Sequence, residues 1–239
     1  MGPKRQMTKP ALILTRPAPA CVAFAASLPD ALLSRVRVVT SPLLQIRPTA
    51  VPVDLGGIGG VIFTSANGVA HGPKGGTLPA YCVGEATAQA AAAKGWQVAC
   101  YAPDAARLLP MIKAHRPAAP LLHLRGTHQR GDIAERLTQA GLPTRPVVLY
   151  DQQALPLTRD AQAALADGPS IVPLFSPRTA AQFADQACET RRATIIALSP
   201  AVAEALDRTV VQQILIAPEP TATSLRFTLE TAVDWNRLA

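Results

Sequence analysis

The stretch Val61–Gly68 reads VIFTSANG, a short apolar run that ends at hydroxyl residues and leads into a helix-forming segment. A similar stretch, Leu174–Thr179, reads LFSPRT. Strands of a parallel sheet are buried on both faces and therefore read as short continuous apolar runs. Ser or Thr before a helix caps its first N–H groups, and Pro suits its first turn. Both stretches therefore predict a strand, a turn and a helix, the repeating unit of an open α/β fold.

The same pattern recurs along the chain. Further short apolar runs end in a polar turn, and we predict a parallel strand at each: Leu12–Leu14, Tyr81–Val83, Leu121–Leu124, Ile195–Leu198 and Ile214–Ile216. The motifs also repeat, since Ser65 and Ser176 are 111 residues apart and Gly84 and Ser199 are 115 apart. The mate of Leu124–Gly126 lies near the N-terminus, at Leu14–Pro17.

We interpret the repeat as two similar domains, the second inserted into the first. The prediction assigns residues 1–37 and 155–239 to a discontinuous first domain and residues 50–143 to the inserted one. Residues 38–49 and 144–154, in which Val38–Pro48 and Arg145–Ala154 are extended, would pair as a two-stranded linker. Chance similarity between Ala-rich strand–helix units is the alternative explanation.

The formal net charge of +7 raises the question of nucleic acid binding. Residues 1–49 carry +6, residues 50–143 carry +3 and residues 144–239 carry −2, without a long basic block. Aromatic residues make up only 4% of the chain, too few for a base-stacking surface. We therefore expect no nucleic acid partner. Most of the basic residues are arginines, whose planar fork suits carboxylates and phosphates, so a small polyanion remains a candidate ligand.

Ligands of open α/β sheets bind beyond the carboxyl ends of the strands. The turns at these ends supply hydroxyl groups and arginines: Thr15, Thr64, Ser65, Thr87, Ser176, Thr179 and Ser199, with Arg16, Arg125 and Arg178. Helix N-termini at the same turns favour anions. Two such edges facing each other would form a cleft that binds carboxylates or phosphates. Each Ser or Thr is also explained as a simple helix cap, and only their recurrence at successive strands favours a site.

Other chemistry has little support in the sequence. The glycine-rich residues 54–60 precede a strand instead of following one, and no Walker motif is present, which disfavours a nucleotide-dependent enzyme. His123 and His128 have no accompanying carboxylate cluster, so no metal is expected. The cysteines form no CxxC pair and lie in apolar stretches typical of buried thiols: Cys21, Cys82, Cys100 and Cys188. Without a secretory signal or membrane-spanning run, we expect a cytoplasmic protein.

Tyr150 is one of three tyrosines and ends the apolar run Val147–Leu149 in a proposed linker strand. A phenol at that position could face the cleft and donate a proton. Simple packing of the strand explains it equally well.

Together these motifs resemble the uroporphyrinogen-III synthase family over nearly the whole chain. The resemblance rests on the following stretches: Leu14–Pro17, Ile62–Val69, Val83–Ala88, Val148–Asp151, Phe175–Arg178 and Ser199–Ala203. It implies two flavodoxin-like α/β domains joined by a two-stranded β-ladder, with the active site in the cleft between them. It also implies a lyase that cyclises hydroxymethylbilane to uroporphyrinogen III, with loss of water and inversion of ring D, and that needs no cofactor or metal. Two domains with a mobile cleft would work as a monomer, which is the state that we expect.

The resemblance also implies roles for individual residues. Tyr150 matches the tyrosine proposed as the acid for water loss. The remaining positions would bind the polycarboxylate substrate: Thr15, Arg16, Thr64, Ser65, Gly84, Thr87, Ser176, Arg178 and Ser199. Some members carry Thr where this chain has Ala201 or Val202, so Ser199 or backbone N–H groups would have to replace that contact. The alternative function is a noncatalytic two-domain module that closes on a small polyanion.

Overall fold

The computed structural model of the chain describes residues 9–118, 120–128, 131–187, 189–206 and 211–235. Strands and helices alternate through these residues. The strands are β1 (Ala11–Leu14), β2 (Arg37–Thr40), β3 (Leu44–Pro48), β4 (Gly60–Phe63), β5 (Pro79–Val83), β6 (Gln97–Ala102), β7 (Leu121–Gly126), β8 (Thr144–Ala154), β9 (Ser170–Leu174), β10 (Ala193–Ala197) and β11 (Gln213–Ile216). The helices are α1 (Ala18–Ala26), α2 (Asp30–Leu33), α3 (Ala66–His71), α4 (Glu85–Ala93), α5 (Ala105–His115), α6 (Ile133–Gln139), α7 (Arg159–Asp167), α8 (Pro177–Gln186), α9 (Pro200–Glu204) and α10 (Ala222–Trp235).

The stretches Val61–Gly68 and Leu174–Thr179 each form the predicted strand, turn and helix. Ser65 caps α3, where its side-chain oxygen accepts a hydrogen bond from the N–H of Asn67 at 3.1 Å. Ser176 caps α8 in the same way and accepts from the N–H of Thr179 at 3.2 Å. These bonds satisfy N–H groups that the first turn of a helix leaves without a partner, so each turn is fixed directly after its strand.

The chain divides into two compact units. The first contains the described residues of Met1–Gln45 and Ala154–Ala239. Its sheet has the strand order β11-β10-β9-β1-β2, and neighbouring strands are parallel. One face packs against helices that include α8 through Phe183, and the other packs against α1 and α10 through Phe24 and Leu225. Burial of both faces explains why these strands read as unbroken apolar runs.

The second unit is Ile46–Gln153. Its sheet has the order β3-β8-β7-β4-β5-β6, in which β8 to β6 are parallel. One face is covered by α3 and α4 through Val69 and Ala91. The opposite face is covered by α5 and α6 through Leu108 and Leu137.

The two sheets have the same spatial order when their strands are matched as the repeated motifs predict. Strands β4, β5 and β6 occupy the places of β9, β10 and β11, while β7 and β8 occupy those of β1 and β2. In chain order, the first unit therefore has the 2-1-3-4-5 arrangement of flavodoxin-like folds, and the second has 3-2-1-4-5. The prediction of two similar parallel-sheet domains is confirmed. The strand order reverses between β1 and β9 in the first unit and between β4 and β7 in the second.

The first linker segment differs from the sequence prediction. The sequence analysis places one extended crossing over Val38–Pro48, whereas the structure has two strands there. Strand β2 is paired with β1 in the first sheet, and β3 is the neighbour of β8. Pro42, which has no N–H to donate, lies in the turn that separates them.

Strands β3 and β8 run in opposite directions. The N–H of Thr49 donates to the carbonyl of Leu149 at 2.9 Å, and Nε of Arg47 donates to Oε1 of Gln153 at 3.2 Å. The chain passes from the first unit into the second within β3, and it returns at the end of β8.

None of the helices in the described residues is long and apolar enough to cross a membrane. Cys21 and Cys82 are buried free thiols, as predicted, and Cys100 is a half-buried free thiol. Cys188 lies outside the described residues.

Candidate active site

In the first unit, the reversal of strand order brings Thr15 and Arg16 next to Phe175. The Arg16 guanidinium lies over the Phe175 ring, with 4.4 Å between its central carbon and the ring centroid. Burial lowers the pKa of Arg16, which nevertheless stays charged. Within the described residues no hydrogen bond or ion pair occupies this guanidinium, and the buried hydroxyl of Thr15 also has no hydrogen-bond partner. A partly desolvated, unpaired cation favours an anionic ligand.

The turns after β9 and β10 place three more predicted residues at the same edge. The Ser176 hydroxyl caps α8 and also lies 2.9 Å from the hydroxyl of Thr179. Arg178 is half-buried in the first turn of α8 and has a partner within the protein. Ser199 occupies the capping position of α9, but its side chain makes no capping hydrogen bond. Of the two serines, only Ser176 is therefore engaged in capping its helix.

In the second unit, the reversal of strand order brings Thr64 next to His123. Thr64 directly follows β4, and its Oγ1 lies 3.2 Å from Nε2 of His123 on β7. His123 is only 1% exposed, and its Nδ1 has no hydrogen-bond partner in the described part of the chain. Burial, together with the positive charge of Arg125, lowers the pKa of His123 to about 4. The imidazole is therefore neutral at pH 7.

The Arg125 guanidinium is partly engaged in hydrogen bonds to the residues that directly follow it. Its Nη1 donates to the carbonyls of Gly126 and Thr127 at 2.9 and 3.0 Å. Its Nε is buried without a hydrogen-bond partner among the described residues. This guanidinium thus stabilises the end of β7 and has one unsatisfied donor.

Tyr150 lies on β8 and reaches across β7 to the end of β4. Strand β7 separates β8 from β4, and Gly126 leaves room for the crossing because a Cβ there would lie 2.5 Å from Cε2 of Tyr150. The ring is 5.7 Å from that of His71. Burial raises the pKa of Tyr150, whereas a hydrogen bond with the Ser65 side chain lowers it, and the net effect is an increase. The phenol therefore stays protonated at neutral pH, at 2% exposure.

Gly84 and Thr87 lie at the start of α4, beyond the carboxyl end of β5. Gly84 has a φ of 83°, a left-handed conformation that favours glycine, and its N–H donates to the carbonyl of Ala102 at 2.7 Å. Thr87 is buried in the first turn of α4. Gly84 therefore fixes how the chain turns from β5 into this helix.

A family model described as uroporphyrinogen-III synthase HemD matches residues 34–226. The chain belongs to the uroporphyrinogen-III synthase family. Like that family, it is a cyclising lyase of tetrapyrrole biosynthesis. No curated protein matches the chain significantly in sequence.

Two solved structures support the fold of this uroporphyrinogen-III synthase family member. The uroporphyrinogen-III synthetase of Helicobacter pylori is 19% identical, with a TM-score of 0.65 over 95% of this chain and 99% of that one. A mutant uroporphyrinogen III synthase of Thermus thermophilus is 12% identical, with a TM-score of 0.53 over 94% and 99% of the two chains. At these identities the likeness concerns the fold.

The structure groups the sites predicted for a uroporphyrinogen-III synthase by unit. The first unit holds one set, at the ends of β1, β9 and β10: Thr15, Arg16, Ser176, Arg178 and Ser199. The second unit holds the other set, at the ends of β4 and β5 and on β8: Thr64, Ser65, Gly84, Thr87 and Tyr150. Sequence reasoning missed His123 and Gly126 as parts of the second set. Their shared signal is the strand LLHLRG, in which His123, Arg125 and Gly126 interrupt the run of leucines expected of a buried parallel strand.

Proposed function

We propose that the chain converts hydroxymethylbilane to uroporphyrinogen III, the reaction of its family. The carbon–oxygen bond of the hydroxymethyl group breaks, and the oxygen takes up a proton and leaves as water. The terminal ring D then attacks the resulting azafulvene through a spiro intermediate and is inverted. Restoring the aromatic ring releases a proton, which balances the proton given to the leaving group. No oxidant or reductant is needed, and the main task of the protein is to hold a flexible chain in a closing geometry.

One observation carries the assignment of the substrate class. The substrate bears eight carboxylates, and the partly desolvated Arg16 guanidinium lies over Phe175 without a hydrogen-bond or ion-pair partner in the described residues. It occupies the point of strand reversal, where open α/β sheets bind ligands. A carboxylate there would give Arg16 the bidentate partner that it lacks. We assign Arg16 to one substrate carboxylate and Arg178, on the next turn, to another.

Tyr150 is our candidate for the acid that protonates the leaving hydroxyl group. The raised pKa keeps the phenol in the proton-donating form at neutral pH. The absence of a side chain at Gly126 makes room for the ring, and the Ser65 side chain is a hydrogen-bond partner of the phenol. A positioned acid of this kind typically contributes about a hundredfold or more to the rate.

The remaining assignments differ in the support that each receives. Thr15 and Ser199 are the best candidates for hydroxyl contacts, because neither makes a side-chain hydrogen bond to its own helix turn. The hydroxyls of Ser65 and Ser176 already accept helix N–H groups, so these residues would bind substrate with their remaining hydrogen-bonding capacity. Further contacts come from the turn after β5 and from the end of β4: Gly84, Thr87 and Thr64.

We further propose that the enzyme works as a cytoplasmic monomer on this small molecule, without a nucleic acid partner. Free thiols at Cys21, Cys82 and Cys100 are consistent with a reducing compartment.

The direct test is an isomer assay with hydroxymethylbilane freshly generated by a coupled enzyme. We expect the type III isomer to form in proportion to the protein added. If only the spontaneous type I isomer appears at every protein concentration, the proposed reaction is wrong.

Tyr150→Phe removes the acid but retains the ring. We expect kcat to fall about a hundredfold, with an unchanged unfolding midpoint. Tyr101→Phe is the matched control, since Tyr101 is 48% exposed on β6 of the same unit, and it should retain full activity. Wild-type turnover in Tyr150→Phe would exclude this phenol as the acid.

A further inference from the structure

His123 is a buried, titratable residue of the second unit to which the proposed mechanism gives no role. It lies on β7 opposite Ile62 of β4, in the region of the sheet covered by α5 and α6. Its Nε2 lies 3.2 Å from the hydroxyl of Thr64, which follows the neighbouring strand β4 at the point where the strand order reverses. A buried imidazole in such a position needs a reason, because each unsatisfied polar atom costs free energy.

The hydrogen-bond pattern decides which ring nitrogen carries the proton. Nδ1 has no partner among the described residues. If Nδ1 carried the proton, a buried N–H would have no acceptor, which is the rarer and more costly deficiency. If Nε2 carries it, the N–H donates to Oγ1 of Thr64 and only a lone pair of Nδ1 is left unsatisfied. The hydrogen-bond pattern therefore favours the tautomer protonated at Nε2.

This tautomer determines what Thr64 can do. A threonine hydroxyl has one proton to donate and two lone pairs. When one lone pair accepts from His123, the hydroxyl proton is directed away from the ring. Within the described residues the Thr64 side chain makes no hydrogen bond other than the one with His123, so that proton has no acceptor there.

We infer that His123 is a positioning residue that orients the Thr64 hydroxyl as a hydrogen-bond donor to a carboxylate oxygen of the substrate. The inference rests on the proposed function, in which Thr64 contacts substrate. It adds a specific direction to that contact: Thr64 donates and does not accept. An oxyanion would bind there, and a ligand group that offers only N–H donors would not.

The tautomer can be tested without any substrate. In protein labelled with ¹⁵N-histidine, long-range ¹H–¹⁵N correlation spectra at pH 7 distinguish the protonated ring nitrogen from the unprotonated one. We expect a protonated Nε2 and an unprotonated Nδ1 for His123, and Thr64→Val should shift the Nε2 signal most. His123 is assigned by elimination from single variants of the other three histidines: His71, His115 and His128. A proton on Nδ1 would overturn the inference.

Kinetics test the consequence for substrate binding. Thr64→Val and His123→Leu should each raise KM about tenfold with kcat within about twofold, the loss expected for one hydrogen bond to a charged group. The double variant should be no worse than Thr64→Val alone, because both changes remove the same contact. Thr64→Ser and His123→Gln retain a hydroxyl and a side-chain donor, and we expect them to remain within about threefold of wild type.

The outcomes separate this inference from the proposed reaction. A wild-type KM in either Thr64→Val or His123→Leu, or effects that multiply in the double variant, would overturn the role of His123. If His123→Leu does not fold, the spectra of wild type and Thr64→Val still decide the tautomer. Production of type I isomer alone by the wild type would overturn the proposed function, while the spectra would still report on the His123–Thr64 pair.

Discussion

Lowering the pH should destabilise the second unit through His123. The pKa of this imidazole is about 4 in the folded protein, against an ordinary value of 6.5. Below pH 6.5 the unfolded chain binds a proton that the folded chain does not, so stability falls with pH and levels off below pH 4. A difference of 2.5 pKa units corresponds to about 3 kcal/mol in full. Between pH 7 and pH 5 we expect a loss of about 2 kcal/mol from this residue alone.

The measurement is urea unfolding of wild type and His123→Gln at a series of pH values between 7 and 4. Trp96 is buried in the second unit against Phe63, and its fluorescence reports on that unit when the only other tryptophan, Trp235, is replaced by Phe. Other titrating groups are the same in both proteins and cancel in the difference. His115→Gln, at an exposed position of α5, is the matched control for replacing a histidine by glutamine and is measured over the same pH series.

The expected result is a difference in unfolding free energy between the two proteins that changes with pH. From pH 7 to pH 5 the unfolding free energy of wild type should fall by about 2 kcal/mol more than that of His123→Gln, whichever protein is the more stable at pH 7. If the two proteins change in parallel to within about 0.5 kcal/mol, the buried histidine is not held neutral and the reasoning fails.

Three further changes test other contacts. Gly126→Ala places a Cβ 2.5 Å from the phenol ring that crosses it, so kcat should fall at least tenfold, whereas Gly76→Ala, with no atom within 4 Å of its Cβ, should leave the rate unchanged. Lys94→Met removes three hydrogen bonds, of 2.6 to 2.7 Å, to carbonyls at the end of α3, and the second unit should lose about 2 kcal/mol in the same urea assay; a loss below about 0.5 kcal/mol would contradict this. Arg16→Gln should raise KM about tenfold or more, whereas Arg37→Gln, at an exposed position of β2, should leave KM unchanged. The same KM in both variants would refute the proposed contact between Arg16 and a substrate carboxylate.

Much of the fold can be predicted from the sequence, because parallel strands buried on both faces leave an unmistakable pattern. Strand β4 is buried at all four positions and was predicted from its apolar run. Strand β6 was not predicted, since it lies at the edge of its sheet and Gln97 and Tyr101 are exposed on it. The break of Val38–Pro48 into two strands was missed because β-branched residues and prolines suit an extended chain whether or not it turns.

The site could be predicted only in part. Residues such as Ser65 and Ser176 stand at turns that local sequence defines, so their positions at strand ends could be read directly. The contact of His123 with Thr64 joins residues 59 positions apart, and it depends on which strands become neighbours. The passage of Tyr150 over Gly126 depends in addition on a shift of register at the end of β7, which no local pattern records.

The insertion of the second unit has a consequence for how the chain folds. Pairing of β1 with β9 brings Leu12 next to Ile171, a closure over more than 150 residues that is entropically costly in an unfolded chain. The second unit is continuous in sequence, so it can form without waiting for the first. Once it has formed, the pairing of β3 with β8 holds Arg47 Nε 3.2 Å from Oε1 of Gln153. The more than 100 residues between them then add little to the entropic cost of joining the two parts of the first unit. We therefore expect the inserted unit to form first during folding and to bring together the two chain segments that make up the first unit.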